Sequence, residues 1–313
     1  MPPPSGLADL DLTEILTRVG NEAAREFGKG EVASYIPALK RVPPRKFGIA
    51  VCTVDGDEYV YGDAEDAFAI QSISKVLTLA MALGDVGANL WTRVGREPSG
   101  NAFNSLVQLE QENGIPRNPF INAGALVVTD TVAAHNRAPK QSLLNWARTL
   151  SGNRHVRFDR EVAKSESETG DRNRAIAYFL KTHGNLRCPV EQVLDVYFHQ
   201  CALAMSSLDL ARAFLPLANR GYMLGVSGAV MPPRRVKRIN SLMMTSGVYD
   251  GAGNFAYRVG IPCKSGVGGG IAGVIPGVLS ICVWSPELDE IGNSQVGTKA
   301  LELFTTKTRL SVF

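Results

Sequence analysis

One serine and one lysine have the spacing of a nucleophile and its base. Ser72 and Lys75 form the only Ser-x-x-Lys sequence in the chain, and the apolar run Val76–Leu83 follows them and is stopped by Gly84. Such a run before a glycine predicts a buried helix, and residues three apart share one helix face. Burial lowers the proton affinity of a lysine by desolvation, so Lys75 can accept the Ser72 proton near neutral pH.

The same two residues also fit an ordinary structural role. Serine favours helix N-caps, lysine is a common helix former, and a chain of this size contains roughly one such motif by chance. Serine acyl-transfer enzymes that share the motif with β-lactamases carry, in addition, a Lys-Thr-Gly triplet that lines the site from a sheet edge. Lys264-Ser265-Gly266 is the chemical equivalent here. The amide of Val267 in the following glycine-rich run would form an oxyanion hole with that of Ser72, and a simple hairpin turn is the alternative.

The composition bounds the class of protein. The chain has 313 residues, of which 45% are hydrophobic, enough for one extended domain or two. A net charge of +3 is too weak to indicate nucleic-acid binding, and the basic run at residues 234–238 is predicted to be a solvated helix face. Five cysteines without a Cys-x-x-Cys pair and four scattered histidines predict neither disulfides nor zinc.

The sequence contains no predicted export or membrane segment. The N-terminus lacks the basic and apolar regions of a secretory signal, and no apolar stretch is predicted to reach membrane-spanning length. We therefore expect a soluble, cytoplasmic protein without a membrane or nucleic-acid partner.

Hydrophobic periodicity predicts strands near both chain ends and helices between them. Two strands, Phe47–Val54 and Tyr59–Tyr61, flank the hairpin signal Asp55-Gly56. The later strand-like segments are Phe255–Lys264, Gly270–Ile275 and Val278–Trp284. The predicted helices cover about 12–28, 85–94 in part, 104–112, 123–134, 141–150, 172–182, 189–202, 208–219 with Ser207 as cap, 234–245 and 298–307. Residues 1–10 are predicted to be a loose tail, and residues 114–119 and 164–173 to be loops.

This order predicts an α/β (α+β) fold with a mainly antiparallel sheet built from both chain ends, flanking helices and an inserted all-helical lobe. Residues 1–65 and 226–313 would form the sheet-containing lobe and residues 66–225 the helical lobe, within a single domain overall. A site would lie between the lobes, and Ser72 lies at the first crossing from sheet to helices.

Eight segments resemble those of the serine-dependent glutaminases of bacterial type. They are Tyr35–Pro37, Gln71–Lys75, Asn118–Ala125, Ser165–Asn173, Tyr197-Phe198, Gly247–Asp250, Lys264–Gly270 and Trp284–Pro286. The resemblance implies a β-lactamase-like fold, L-glutamine as substrate with L-glutamate as product, no metal or organic cofactor, and a homotetramer or homodimer. The loop after Lys164 and the tails depart most from the family pattern.

The resemblance also implies roles for individual residues. Ser72 would be the nucleophile, Lys75 its proton acceptor and Tyr249 a proton relay, with the dominant base among the last two left open. The implied substrate-binding residues are Tyr35, Ser72, Asn122, Glu166, Asn173, Tyr197, Tyr249 and Val267. These residue types suit the amino-acid end of glutamine, because a zwitterion needs a carboxylate for its ammonium and donors for its carboxylate. Without the resemblance, most of these residues would be interpreted as loop acids, helix caps and core aromatics.

The sequence therefore predicts hydrolysis of L-glutamine to L-glutamate and ammonia through a γ-glutamyl ester on Ser72. A β-lactamase or peptidase of the same motif class is the enzymatic alternative. It predicts an exported protein with a Ser-Asp-Asn element, and the chain has no such triplet. A non-catalytic amino-acid-binding protein is the second alternative, and the intact Ser72 and Lys75 argue against it.

Overall fold

The computed structural model describes residue 7 and residues 10–313. Only residues 7 and 10 of the predicted N-terminal tail fall within this part of the chain. The strands are β1 (Glu31–Val32), β2 (Gly48–Thr53), β3 (Glu58–Gly62), β4 (Phe68–Ala69), β5 (Arg157–Phe158), β6 (Leu203–Met205), β7 (Cys263–Gly266), β8 (Gly270–Ile275), β9 (Leu279–Trp284) and β10 (Glu287–Leu288).

The main sheet has five antiparallel strands in the order β3-β2-β9-β8-β7. The two ends of the chain meet where β2 pairs with β9, with Val51 opposite Ile281. The predicted antiparallel sheet built from both chain ends is therefore confirmed. Strands β4, β5 and β6 form a smaller three-stranded sheet, and β1 pairs with β10.

Helices cover both faces of the main sheet. They are α1 (Leu12–Ala23), α2 (Ser74–Val86), α3 (Val107–Gln111), α4 (Asn122–His135), α5 (Pro139–Ser151), α6 (Arg160–Glu168), α7 (Asp171–Thr182), α8 (Val190–Cys201), α9 (Ser207–Ala218), α10 (Pro233–Ser246), α11 (Ala252–Arg258) and α12 (Gln295–Thr308). Side chains alternate along a strand, so Ile49 and Val51 of β2 pack with α1 and α12, whereas Ala50 and Cys52 face the cluster that contains α9. All of β2 is buried because both of its faces are covered.

Helix α2 lies at the centre of the same hydrophobic cluster as α9. It contacts α4, α5, α8 and α10. It continues past Gly84, where the sequence predicted a stop, and ends at Val86, followed by Gly87, whose φ of 56° suits glycine. With its flanking 3-10 turns it forms one helical segment, Gln71–Thr92, whose 22 residues are long and apolar enough to cross a membrane by length and composition alone. Of its most apolar window, 56% is buried inside the protein, as expected for a core helix, and no clear transmembrane helix is indicated.

Three local predictions are wrong for identifiable reasons. The predicted loop 164–173 is the end of α6 and the start of α7, because Asp159 caps α6 and Val162 and Ala163 give that polar helix a buried face. The predicted strand Phe255–Lys264 begins as helix α11, and only its last two residues enter β7. The cap of α9 is Ser206 and not the predicted Ser207. The Ser206 hydroxyl accepts a hydrogen bond from the Asp209 amide in a capping box.

The division into two lobes at residues 65 and 226 stays a proposal. Helix α9 belongs to the proposed helical lobe by sequence, yet it packs on β2, β8 and β9 of the sheet. The apolar contacts therefore run continuously from the sheet into the helices.

Candidate active site

Ser72 lies in a 3-10 turn, Gln71–Ile73, that leads directly into α2. The sequence predicted that Ser72 and Lys75 share one helix face, whereas Ser72 lies in the turn just before α2. Gln71 has a φ of 49°, a backbone conformation that is uncommon for a residue with a side chain and often marks a functional site. No side chain caps α2, so its first N–H groups place partial positive charge next to the Ser72 hydroxyl.

Lys75 is buried behind Ser72 in a chain of hydrogen bonds. Its Nζ donates to the Phe120 carbonyl at 3.0 Å and to Oδ1 of Asn122 at 2.8 Å. The Asn122 Nδ2 in turn donates to Oδ1 of Asn173 at 2.9 Å. Burial lowers the pKa of Lys75 to about 8, an effect that nearby negative groups such as Glu166 oppose. An amine with this pKa is a suitable base near neutral pH.

Among the described residues, Ser72 and Lys75 share no direct hydrogen bond. Catalytic hydrogen bonds are often long before substrate binds and tighten in the complex. The structure thus places both predicted groups at one site without the final proton-transfer geometry.

The turn between β7 and β8 packs directly against the Ser72 turn. A Cβ on Gly266 would lie 2.5 Å from the Ile70 carbonyl and 3.2 Å from the Ser72 nitrogen, so only glycine allows this approach. The contact brings Val267 to the cavity wall beside Ser72. Neither the Ser72 nor the Val267 amide donates a hydrogen bond within the described part of the chain, which leaves both free for an oxyanion.

Lys264 does not line the cavity, contrary to the prediction for its triplet. It is fully buried, and its Nζ donates to the carbonyls of Gly247 at 2.8 Å and Ser265 at 2.6 Å. Its amine also lies 4.6 Å from the ring centroid of Tyr249. Lys264 therefore supports the turn that carries Tyr249.

Tyr249 occupies a second strained turn, with a φ of 56°. Its hydroxyl is buried and lies near the hydroxyls of Ser72 and Ser265 without forming a hydrogen bond. Burial raises the pKa of Tyr249, so the phenol stays protonated near neutral pH. Its ring packs on Phe103 with the centroids 4.9 Å apart.

A cavity of about 200 Å³ opens in front of Ser72. It is lined by Tyr35, Ile36, Gln71, Ser72, Phe103, Asn104, Asn122, Glu166, Thr169, Gly170, Arg172, Asn173, Tyr197, Cys201 and Val267. The structure thus brings seven of the nine predicted site residues to one cavity, whereas Lys75 and Tyr249 lie behind its wall. A cavity of this size suits a small polar molecule.

Glu166 lies near the end of α6 and is 6% exposed. Burial raises the pKa of this carboxyl to about 7, and the Gln71 amide and Lys75 oppose the shift. The carboxylate is therefore desolvated without a cation in contact, which is the environment that a bound ammonium would relieve.

Several cavity residues were missed by the sequence reasoning. Gln71 and Arg172 lie inside segments that match the family, so their positions were a usable signal. Phe103 and Asn104 come from a segment that was predicted to be helical from residue 104, whereas α3 begins at Val107. Within the described chain, no group of three or more His, Cys, Asp or Glu is arranged to hold a metal ion.

Comparisons with known proteins agree over nearly the whole chain. Residues 30–313 match the sequence profile of the family described as Glutaminase. A glutaminase from Rhizobium etli is 56% identical over 306 residues, which cover 97% of this chain and 99% of that protein. One from Aeromonas hydrophila is 54% identical over 302 residues, which cover 96% and 99% of the two chains.

Solved structures show the same fold. The probable glutaminase ybaS superposes with a TM-score of 0.90 at 39% identity, covering 97% of this chain and 99% of the other. A probable glutaminase from Bacillus subtilis, complexed with 6-diazo-5-oxo-L-norleucine, gives 0.87 at 34% identity, covering 97% and 98%. The predicted β-lactamase-like fold is confirmed by these neighbours. By profile, identity and fold, this chain belongs to the glutaminase family.

Proposed function

We propose that this enzyme hydrolyses L-glutamine to L-glutamate and ammonia through a γ-glutamyl ester on Ser72. The observation that carries the proposal is the position of Ser72 at a small polar cavity, three residues before a buried lysine whose pKa is lowered to about 8. The family membership supports glutamine as the substrate. The ligand of the Bacillus subtilis relative also supports it, since that molecule carries a diazoketone where glutamine has its amide.

In the acylation step, the Ser72 oxygen attacks the side-chain amide carbon of glutamine while Lys75 accepts the serine proton. The negative charge that develops on the amide oxygen is stabilised by the free amides of Ser72 and Val267. The protonated phenol of Tyr249 relays a proton to the amide nitrogen, and Lys75 restores that proton. The carbon–nitrogen bond breaks, and ammonia leaves.

In the deacylation step, water takes the place of ammonia. The same basic groups remove a proton from the water, its oxygen attacks the ester carbon, and the Ser72 oxygen leaves with the proton. Two such steps replace one difficult amide hydrolysis. No step requires a group beyond the residues of the chain and water.

The amino-acid end of glutamine is held away from the reacting amide. Glu166 accepts the ammonium group, and Asn122, Asn173, Tyr35 and Tyr197 supply polar contacts around it. Hydrogen bonds of Asn122 to both Lys75 and Asn173 link this end of the cavity to the base.

We propose that the assembled enzyme is a homotetramer or homodimer, on the basis of the family resemblance alone, and that it is cytoplasmic, on the basis of the sequence. Light scattering of the purified protein in solution would measure its mass against 33.7 kDa for one chain. A monomer would contradict this part of the proposal.

The Ser72→Ala variant tests the function. Ammonia release from L-glutamine should fall by several orders of magnitude while the circular dichroism and melting temperature stay near those of the wild type, as for other nucleophile deletions. Near-wild-type turnover would contradict the mechanism.

Hydrolysis of nitrocefin by the wild type, without ammonia release from glutamine, would support the β-lactamase alternative instead. Binding of glutamine without turnover would support the amino-acid-binding alternative.

A further inference from the structure

Two separate segments hold the strained turn that carries Tyr249. Its φ of 56° is a conformation that persists only where the surrounding structure enforces it. The first segment is β7, from which Lys264 Nζ donates to the Gly247 carbonyl at 2.8 Å and the Ser265 amide donates to it at 3.1 Å. The strand that leads to Val267 therefore also fixes the start of this turn.

Asn293 belongs to the second segment and holds the next peptide group. Its Nδ2 donates to the Val248 carbonyl at 3.3 Å, and the residue is 4% exposed. The Gly251 amide donates to the same carbonyl at 3.2 Å, and a Cβ on Gly251 would lie 3.5 Å from Asn293 Nδ2. Because this carbonyl belongs to the peptide group directly before Tyr249, its orientation fixes the direction in which the phenol leaves the turn.

The loop that presents Asn293 is closed by hydrogen bonds of its own. Oδ1 of Asp289 accepts from the amides of Ile291, Gly292 and Asn293 at 3.0, 2.9 and 2.9 Å. The Asp289 amide donates to the Asn293 carbonyl at 2.8 Å. The next residue, Ser294, caps α12. Asn293 is therefore tied both to its own loop and to the start of a helix.

The same loop also packs against the tyrosine ring. A Cβ on Gly292 would lie 3.7 Å from Cε2 of Tyr249 and 3.9 Å from Cγ1 of Val267. The Tyr249 hydroxyl, by contrast, has no hydrogen-bond partner among the described residues. The position of the phenol is therefore set by its backbone turn and by packing, and not by a hydrogen bond at the hydroxyl.

We propose that Asn293 is a positioning residue for proton transfer: by holding the Val248 carbonyl, it aims the Tyr249 phenol at Ser72 and at the departing nitrogen. The inference rests on the proposed function, in which Tyr249 relays a proton to the amide nitrogen of glutamine. Asn293 itself does not line the cavity, so it acts through the tyrosine. Its loss should slow the chemical step and leave glutamine binding nearly unchanged.

Asn293→Ala removes the donor and tests this role. We expect kcat for L-glutamine to fall roughly tenfold or more, since a misplacement of about 1 Å costs about a hundredfold in rate. KM should change by less than about twofold, so that kcat and kcat/KM fall together. Asn293→Asp keeps the shape of the side chain but turns an oxygen towards the Val248 carbonyl. It should show the same loss, and it serves as the test if Asn293→Ala does not fold.

Glu290→Gln is the matched control. Glu290 is exposed on the same loop, and its side chain forms no hydrogen bond or ion pair with another described residue. Its kinetic constants should therefore equal those of the wild type. Circular dichroism and melting temperatures identify the variants that are folded.

A double-mutant cycle with Tyr249→Phe separates positioning from a general structural loss. Without the phenol there is no relay to aim, so adding Asn293→Ala should lower the remaining kcat by less than about twofold. L-Glutamate γ-methyl ester gives a second comparison that needs no Tyr249 variant. An ester oxygen leaves with less need of a proton than an amide nitrogen, so Asn293→Ala should lower kcat for the ester by less than about threefold.

The same loss with and without the phenol would overturn the proposal, because Asn293 would then act independently of Tyr249. An equal loss on the amide and the ester, or a folded Asn293→Ala enzyme with wild-type kcat, would overturn it as well. Wild-type turnover by Tyr249→Phe would instead contradict the relay in the proposed function.

Discussion

At the scale of single residues, burial decides which groups can take part in proton transfer. Lys75 and Glu166 are both shifted towards their uncharged forms because water is excluded around them. Each shift places a pKa close to neutral pH, one at about 8 and one at about 7. The proposed catalytic base and the proposed ammonium partner therefore respond to the same range of pH.

This pair of shifts predicts the pH dependence of the reaction. Lys75 accepts a proton only when neutral, and Glu166 attracts an ammonium only when ionised, so both active forms increase as pH rises. We expect kcat/KM for glutamine to climb between about pH 6 and about pH 9, since this constant reports groups of the free enzyme. Initial rates in buffers of constant ionic strength measure it. A value of kcat/KM that falls over this range would contradict the assigned roles. In Glu166→Gln, only the part of the increase near the Lys75 pKa should remain.

Glu166→Gln tests whether Glu166, and not the nearby Glu168, is the acid that binds the substrate ammonium. The change keeps the shape of the side chain but removes the charge that balances a desolvated ammonium, a loss on the order of 3–5 kcal/mol. Because the contact exists in both the ground and transition states, most of the loss should appear in KM. Glu168→Gln is the matched control, since its exposed side chain pairs with Lys164 outside the cavity. Steady-state kinetics measure both variants. A large loss of kcat/KM in Glu168→Gln, with no change in Glu166→Gln, would show that the assignment is wrong.

At the scale of elements, two strained turns and one tight helix contact position the reacting groups. A Cβ on Gly124, near the start of α4, would lie 1.9 Å from the Asn118 carbonyl. This contact fixes the segment that presents the Phe120 carbonyl and Asn122 to Lys75. Gly84 in α2, by contrast, has only the end of the Arg235 side chain at 4.0 Å.

The two helical glycines should therefore respond in opposite directions to alanine. Gly124→Ala should lower the free energy of unfolding by about 1–3 kcal/mol through overpacking, and it should reduce kcat/KM because Asn122 shifts. Gly84→Ala should raise the free energy of unfolding by about 0.5–1 kcal/mol and leave activity unchanged, because alanine is the better helix former. Urea unfolding and glutamine turnover measure both effects. Equal changes in the two variants would contradict the packing described for α4.

The elements also show what the sequence could and could not predict. The hairpin of β2 and β3, the paired β8 and β9 and the long apolar helices were predictable, because their side-chain periods are strong. The helix that carries Glu166 was missed, since a run of polar residues hides the buried Val162 and Ala163. Phe103 and Asn104 had no local signal, because only the folded chain brings their segment over the cavity.

At the scale of the whole molecule, the site exists because distant segments meet. The sheet brings the turn that contains Val267 against Ser72, and the helices bring Asn122, Glu166 and Asn173 to the opposite wall. Two large hydrophobic clusters, one on each face of the sheet, hold this arrangement. The resemblance was enough to predict seven residues that the structure places at one cavity, whereas the burial that tunes Lys75 and Glu166 required the complete fold.

The ester on Ser72 is the central claim, and trapping it tests the claim most directly. Wild-type enzyme turning over L-glutamine is quenched in acid within milliseconds, digested and analysed by mass spectrometry, with Ser72→Ala treated in parallel. We predict one glutamyl group on the peptide that contains Ser72 in the wild type, and none in the variant. A glutamyl group on any other residue, or the same adduct in Ser72→Ala, would contradict the account.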